Sequence, residues 1–140
     1  MKVLGLDGRE YVWPPRGHDE TTQGELQKSK LHLSILDFLK LQFPGDVILQ
    51  ELPLPGSSVP PLRLDFYLPL RKLAVEADGR QHYEFVAFFH KNLLEFHKSR
   101  ARDKKKKNWL ENNRIFLLRL PEDGDWECLL KNALNGSTTN

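Results

Sequence analysis

The stretch RLDFYLPLRKLAVEADG, residues 63 to 79, leaves this chain few folds to choose from. Two runs in which apolar residues recur at every second position flank a Pro-Leu-Arg-Lys turn, the pattern of a β-hairpin with one side to bury. With the turn centred on Pro69 to Lys72, paired positions sum to 141, so Leu64 faces Ala77, Phe66 faces Val75 and Leu68 faces Leu73. That face is wholly apolar. The same register sets Asp65 opposite Glu76, with Asp78 two residues along on their side, so three carboxylates converge. Like charges directly opposed in a sheet cost roughly 0.2 to 1 kcal/mol, more when partly buried. A divalent cation would offset the repulsion, and hard oxygen donors suit Mg²⁺ or Mn²⁺. Solvation on an open face, or neutralisation by Arg63 and Arg80, would also offset it.

At 140 residues with 39% hydrophobic content, the chain is long enough for one domain with a real core and too short for two. Residues 1 to 21 are rich in Gly, Pro and charge and read as an arm, whose Tyr11 and Trp13 suit docking on the domain and contact with DNA equally well. Residues 22 to 136 read as the folded domain and 137 to 140 as a loose tail. Thr22-Gln-Gly-Glu25 has the spacing of a capping box, and helical periodicity follows as far as Pro44-Gly45, which predicts a helix over 22 to 43. DVILQEL predicts a strand, then come the hairpin, a long polar helical segment from about 84 to 112, a buried strand in RIFLLRL, and a closing helix in DWECLLKNALNG with Gly136 past its end. The order αβββαβα is that of an α/β (α+β) domain: a mixed sheet with helices on its faces.

Net charge is only +2, but KSRARDKKKK, residues 98 to 107, holds seven cations and one anion. Such a patch attracts polyanions, phosphate backbones above all. Four consecutive lysines span more than a helical turn and cannot all face one strand of DNA. Lys106 has the spacing to pair with Asp103, leaving Arg100, Arg102, Lys104, Lys105 and Lys107 for phosphates. His82 follows Asp78 closely enough to return toward the acids, where it could move a proton near neutral pH. A single cysteine excludes an internal disulfide and a multi-cysteine zinc site, which suits a reducing cytoplasm. No apolar run reaches membrane-span length and the first 13 residues lack a signal peptide's apolar core, so no membrane partner is expected.

The combination of a first-helix acid, Asp65 on one strand and an ExD on the next resembles the PD-(D/E)XK nuclease superfamily. LRLDFYLP, KLAVEADGRQHYEF, FFH and SRARDKKKKNWLENNRIFLLRLP are similar to the branch of very-short-patch-repair-type endonucleases and phage-associated EDxHD homing endonucleases. The resemblance covers residues 22 to 121 and implies a restriction-endonuclease-like core. It makes Asp65, Glu76 and the Ala77 carbonyl metal ligands, Glu25 a helper through water, His82 a group at the scissile phosphate, and Asp103 of RDxxKxxW an orienting residue, with Arg80 among the DNA contacts. Asp78 stands where the superfamily usually has lysine, which leaves the general base open. The repair enzymes' zinc site has no counterpart here. The expectation is thus a Mg²⁺- or Mn²⁺-dependent DNA endonuclease of the homing or phage type, working in the cytoplasm of a bacterial or phage-infected cell. A homodimer or two successive nicks would be needed to cut both strands. The alternative is a catalytically inactive nucleic-acid-binding module on the same fold, and a third is a protein-interaction domain.

Overall fold

A computed structural model describes residues 1–15, 29–57, 61–78 and 93–139. Its elements run β1 (Lys2–Leu4), β2 (Glu10–Val12), α1 (Lys30–Gln42), β3 (Leu49–Pro53), β4 (Arg63–Leu68), β5 (Leu73–Asp78), α2 (Leu93–Asn112), β6 (Phe116–Pro121) and α3 (Trp126–Thr139). The four strands β3-β4-β5-β6 form one mixed sheet in that order, antiparallel except for the parallel β5–β6 pair, and β1 and β2 form a separate antiparallel ribbon. The domain is α+β, with three helices among the described residues. The hairpin register is the one its alternation predicts: Phe66 pairs with Val75 and Leu68 with Leu73.

Each sheet face buries a cluster. One joins Ile35, Leu36 and Leu39 of α1 to Phe66, Leu68, Leu73 and Val75, with Leu118, Leu120 and Leu130 closing it. The other joins Trp109 and Leu110 of α2 to Tyr67, Ala74, Leu52 and Leu64, and takes in Val3 and Trp13 of the N-terminal segment. Among its described residues the N-terminal segment is thus docked on the core through Val3 and Trp13. Trp13 is only 2% exposed, packs on Tyr67 and Trp109, and donates its indole N–H to the Pro53 carbonyl at 3.0 Å, so it is no DNA-contacting residue.

The β1–β2 ribbon is not expected from the sequence, and two helix boundaries and the facing of Leu64 also differ from expectation. Helix α1 starts at Lys30 because Ser29, in extended backbone, caps it by accepting the His32 N–H at 3.1 Å; a continuous helix from Thr22 is excluded at that residue. Helix α3 continues through Gly136 to Thr139, so neither the glycine stop nor a loose tail over 137 to 139 holds. Leu64 does not share the Phe66 face: it packs in the α2 cluster, because alternation breaks at the residue between them.

Candidate metal centre and nucleic-acid interface

That break is where the acids lie. The β3–β4 ladder pairs Leu49 with Tyr67, Gln50 with Phe66, Leu52 with Leu64 and Pro53 with Arg63, and skips the facing residues Glu51 and Asp65. Glu51 adopts φ +50°, a left-handed conformation that costs a residue with a Cβ about 1 to 2 kcal/mol, and it lets Leu52 turn to the other face from Gln50. On the far side of β4 the paired ladder ends at Phe66–Val75, and side chains replace the backbone there. The Asp65 N–H donates to Glu76 Oε2 at 2.9 Å, and the Ala77 N–H donates to Asp65 Oδ2 at 2.8 Å. A fault in the sheet, flanked by regular pairing, thus turns Glu51 and Asp65 out of the ladder.

Helix α1 brings His32 to the fault. Its ring lies 4.4 Å from the Phe66 ring and its Nε2 is 2.9 Å from Gln50 Oε1, a hydrogen bond that fixes the imidazole. One donor atom each from His32, Glu51 and Asp65 lies within 4.8 Å of the other two. Two carboxylates and an imidazole at that spacing fit a divalent cation, and the nitrogen shifts the set from the all-oxygen preference of Mg²⁺ toward Mn²⁺. Of the expected trio, Asp65 belongs to this cluster and Glu76 adjoins it, accepting the Asp65 N–H at 2.9 Å beside the Asp65 carboxylate, while Asp78 lies 4.0 Å from Arg119.

Glu76 is 7% exposed, and its Oε1 accepts from Lys106 Nζ at 2.9 Å. Burial and the neighbouring Asp65 carboxylate push its pKa from 4.5 to about 7, against the pull of Lys106. Such a carboxyl keeps its proton in the fold over a range where the unfolded chain has lost it. Stability therefore falls as pH rises from about 4.5 to about 7 and levels off above, by at most roughly 3 kcal/mol. In metal-free buffer the melting temperature of the wild type is expected to drop across this window. Glu76→Gln should remove most of the drop, and an unchanged slope in that variant would show that Glu76 does not titrate there.

The lysine run is shared among three directions. Lys106 turns inward to Glu76 instead of serving Asp103. Lys104 and Lys107 join Arg100 and Arg119 around a cleft of about 640 Å³ that also holds Asp78 and Asp103. There Arg119 Nη1 lies 4.0 Å from Asp78 and 3.9 Å from Asp103, so the two acids position a cation that also lines the cleft. Arg102 and Lys105 line a second cleft on the opposite flank of α2.

Comparison with known proteins places the chain among viral relatives. It is 32% identical to uncharacterized protein 094L of Frog virus 3 (isolate Goorha) over 129 residues, covering 85% of this chain and 79% of that protein. The chain belongs to the 094L family. It also matches uncharacterized protein 307L of Invertebrate iridescent virus 6, at 40% over 60 residues, and uncharacterized protein 033L of Invertebrate iridescent virus 3, at 33% over 69 residues. The chain spans only 30% and 34% of the length of those two. No family model and no solved structure matches it.

Three residues at these sites carry little signature in the sequence. Glu51 looked like an ordinary polar position in a strand, and its left-handed backbone leaves no sequence signal because glycine or asparagine would be the usual occupant. His32 is a single histidine in a helical run and Arg119 a single cation in an apolar strand, and neither pattern marks a site. Glu25, Arg80 and His82 lie outside the described residues.

Proposed function

We propose that this member of the 094L family is a metal-dependent endodeoxyribonuclease with a restriction-endonuclease-like core. The observation that carries the proposal is the convergence of His32, Glu51 and Asp65 at a strained sheet fault, one hydrogen bond from the Glu76–Lys106 pair. Backbone strain held at a cluster of potential ligands is characteristic of functional sites. Order supports it too: helix, three antiparallel strands, helix and a parallel strand follow the sequence that the nuclease resemblance implies.

In this proposal His32, Glu51 and Asp65 hold a divalent cation, Mn²⁺ or Mg²⁺, which when bound polarises a phosphodiester and raises the acidity of water. The residues of the chain do the rest. Asp65 is locked by the Ala77 N–H, so its free carboxylate edge keeps one direction. Lys106 places an ammonium beside the centre, able to donate to a phosphate oxygen, and Glu76 holds that ammonium in place. Glu76, with its raised pKa, can also carry a proton near neutral pH, a role beside the one expected of His82. Arg100, Lys104 and Lys107 supply phosphate contacts that position the strand without reading sequence.

The test is incubation of the protein with supercoiled plasmid in Mn²⁺, Mg²⁺ or chelator. Relaxed or linear product is expected with Mn²⁺ first, with Mg²⁺ second and with chelator not at all. Intact plasmid in every metal, with plasmid still bound at low salt, would replace the nuclease by a binding module.

A further inference from the structure

The flank of α2 that faces away from the Asp78 cleft carries a second depression of about 630 Å³, inside the roughly 300 to 1,000 Å³ range of small-ligand sites. Gly5 and Leu6 after β1 form one side, Gly56, Ser57 and Leu62 between β3 and β4 a second, and α2 the third. The three are held together from within. Leu6 N–H donates to the Pro55 carbonyl at 2.9 Å, and Trp109 Nε1 donates to the Leu4 carbonyl at 2.6 Å. At Gly56 (φ +73°) a Cβ would sit 2.5 Å from Asp7 Oδ1, so only glycine allows the two loops to approach this closely. The depression is thus preformed.

Its chemistry is specific. Arg102 and Lys105 are exposed cations one turn apart on its helical side, and no acid is among its described lining residues, whereas the other cleft contains two aspartates. Asn108 and Asn112, four residues apart and exposed, present two carboxamides on that side. Leu6 and Leu62, half-buried, provide apolar walls. Cations suit a phosphate, a carboxamide matches the donor–acceptor edge of a base, and aliphatic walls suit a base face. Flat duplex backbone would use the cations and leave the concavity and the amides idle.

We infer that this depression is a nucleotide subsite that takes one unpaired nucleotide of a DNA strand, its base between Leu6 and Leu62, its edge on Asn108 and Asn112 and its phosphate on Arg102 and Lys105. The inference rests on the nucleic-acid reading given above but not on cleavage. Lys105 and Lys106 are adjacent, so α2 ties the subsite rigidly to the proposed metal centre. Substrates with a frayed, flapped or gapped nucleotide are then preferred over continuous duplex.

The test is fluorescence anisotropy of the full chain with labelled single-stranded homo-oligonucleotides of each base and a blunt duplex of equal length, all in chelator. Single strands are expected to bind at least about tenfold tighter than duplex, with unequal affinities for the four bases. Asn108→Ala with Asn112→Ala should level the bases to within about twofold while keeping the melting temperature. Arg102→Gln with Lys105→Gln should weaken all strands about equally and reduce the salt dependence. Equal affinity for duplex and single strand, base preference unchanged in the double asparagine variant, or binding of free mononucleotide as tight as of a strand would each overturn the inference. Because no metal is present, plasmid cutting by a base-indifferent protein would sink the subsite and leave the nuclease, and base-selective binding without cutting would do the reverse.

Discussion

Asp65→Asn is expected to reduce plasmid nicking by more than about a hundredfold with little change in stability. Residues that merely support a metal ligand are worth 10- to 100-fold, so loss of a ligand should exceed that range. The folded state should tolerate the change because an asparagine oxygen can still accept from the Ala77 N–H, the bond now made at 2.8 Å. Glu51 gives a sharper form of the same test. Its φ of +50° strains any side chain with a Cβ, so Glu51→Gly relieves about 1 kcal/mol while removing a carboxylate. The glycine variant should be more stable than Glu51→Ala, and neither should nick plasmid or take up Mn²⁺ as the wild type does in a titration followed by electron paramagnetic resonance. A glycine variant that cuts at the wild-type rate would remove Glu51 from the centre, whatever the fate of Asp65.

Trp13→Ala should cost about 3 to 5 kcal/mol, the usual penalty for deleting a buried aromatic, against a total stability of about 5 to 15 kcal/mol. Its ring centroid lies 4.6 Å from Tyr67 and 5.1 Å from Trp109, and its indole N–H is satisfied by the Pro53 carbonyl, so truncation leaves a cavity among strands, ribbon and α2 with a lost hydrogen bond. Urea unfolding followed by far-ultraviolet circular dichroism measures the effect. Trp13→Phe, which keeps most of the apolar area and loses the donor, should cost about 1 to 2 kcal/mol. A Trp13→Ala midpoint equal to that of the wild type would mean that the N-terminal segment contributes nothing to the folded state.

The hairpin was readable in advance because its information is local. Period-two alternation and a four-residue turn admit one register that buries Phe66, Val75, Leu68 and Leu73 together, and that register is the one observed. The placement of Asp65 beside Glu76 followed from it. The dispersal of the lysines was half readable: helical geometry forbids four consecutive side chains on one face, but which way each turns depends on what packs beside α2.

What sequence alone determined, then, is the order of the elements from α1 onward but not the β1–β2 ribbon before it, the hairpin register from Phe66 to Val75, and the concentration of cations on one helix, since each depends on neighbours within a few residues. Only the tertiary structure decided that Glu51 and His32 join Asp65, that Lys106 turns to Glu76 and that Trp13 closes the core. Those contacts unite residues from separate elements, and the central one sits at a fault where β3 carries a left-handed residue and β4 loses its alternation. Periodicity assumes that alternation continues, so it has no means of seeing the place where the sheet departs from it, and that place is the candidate site.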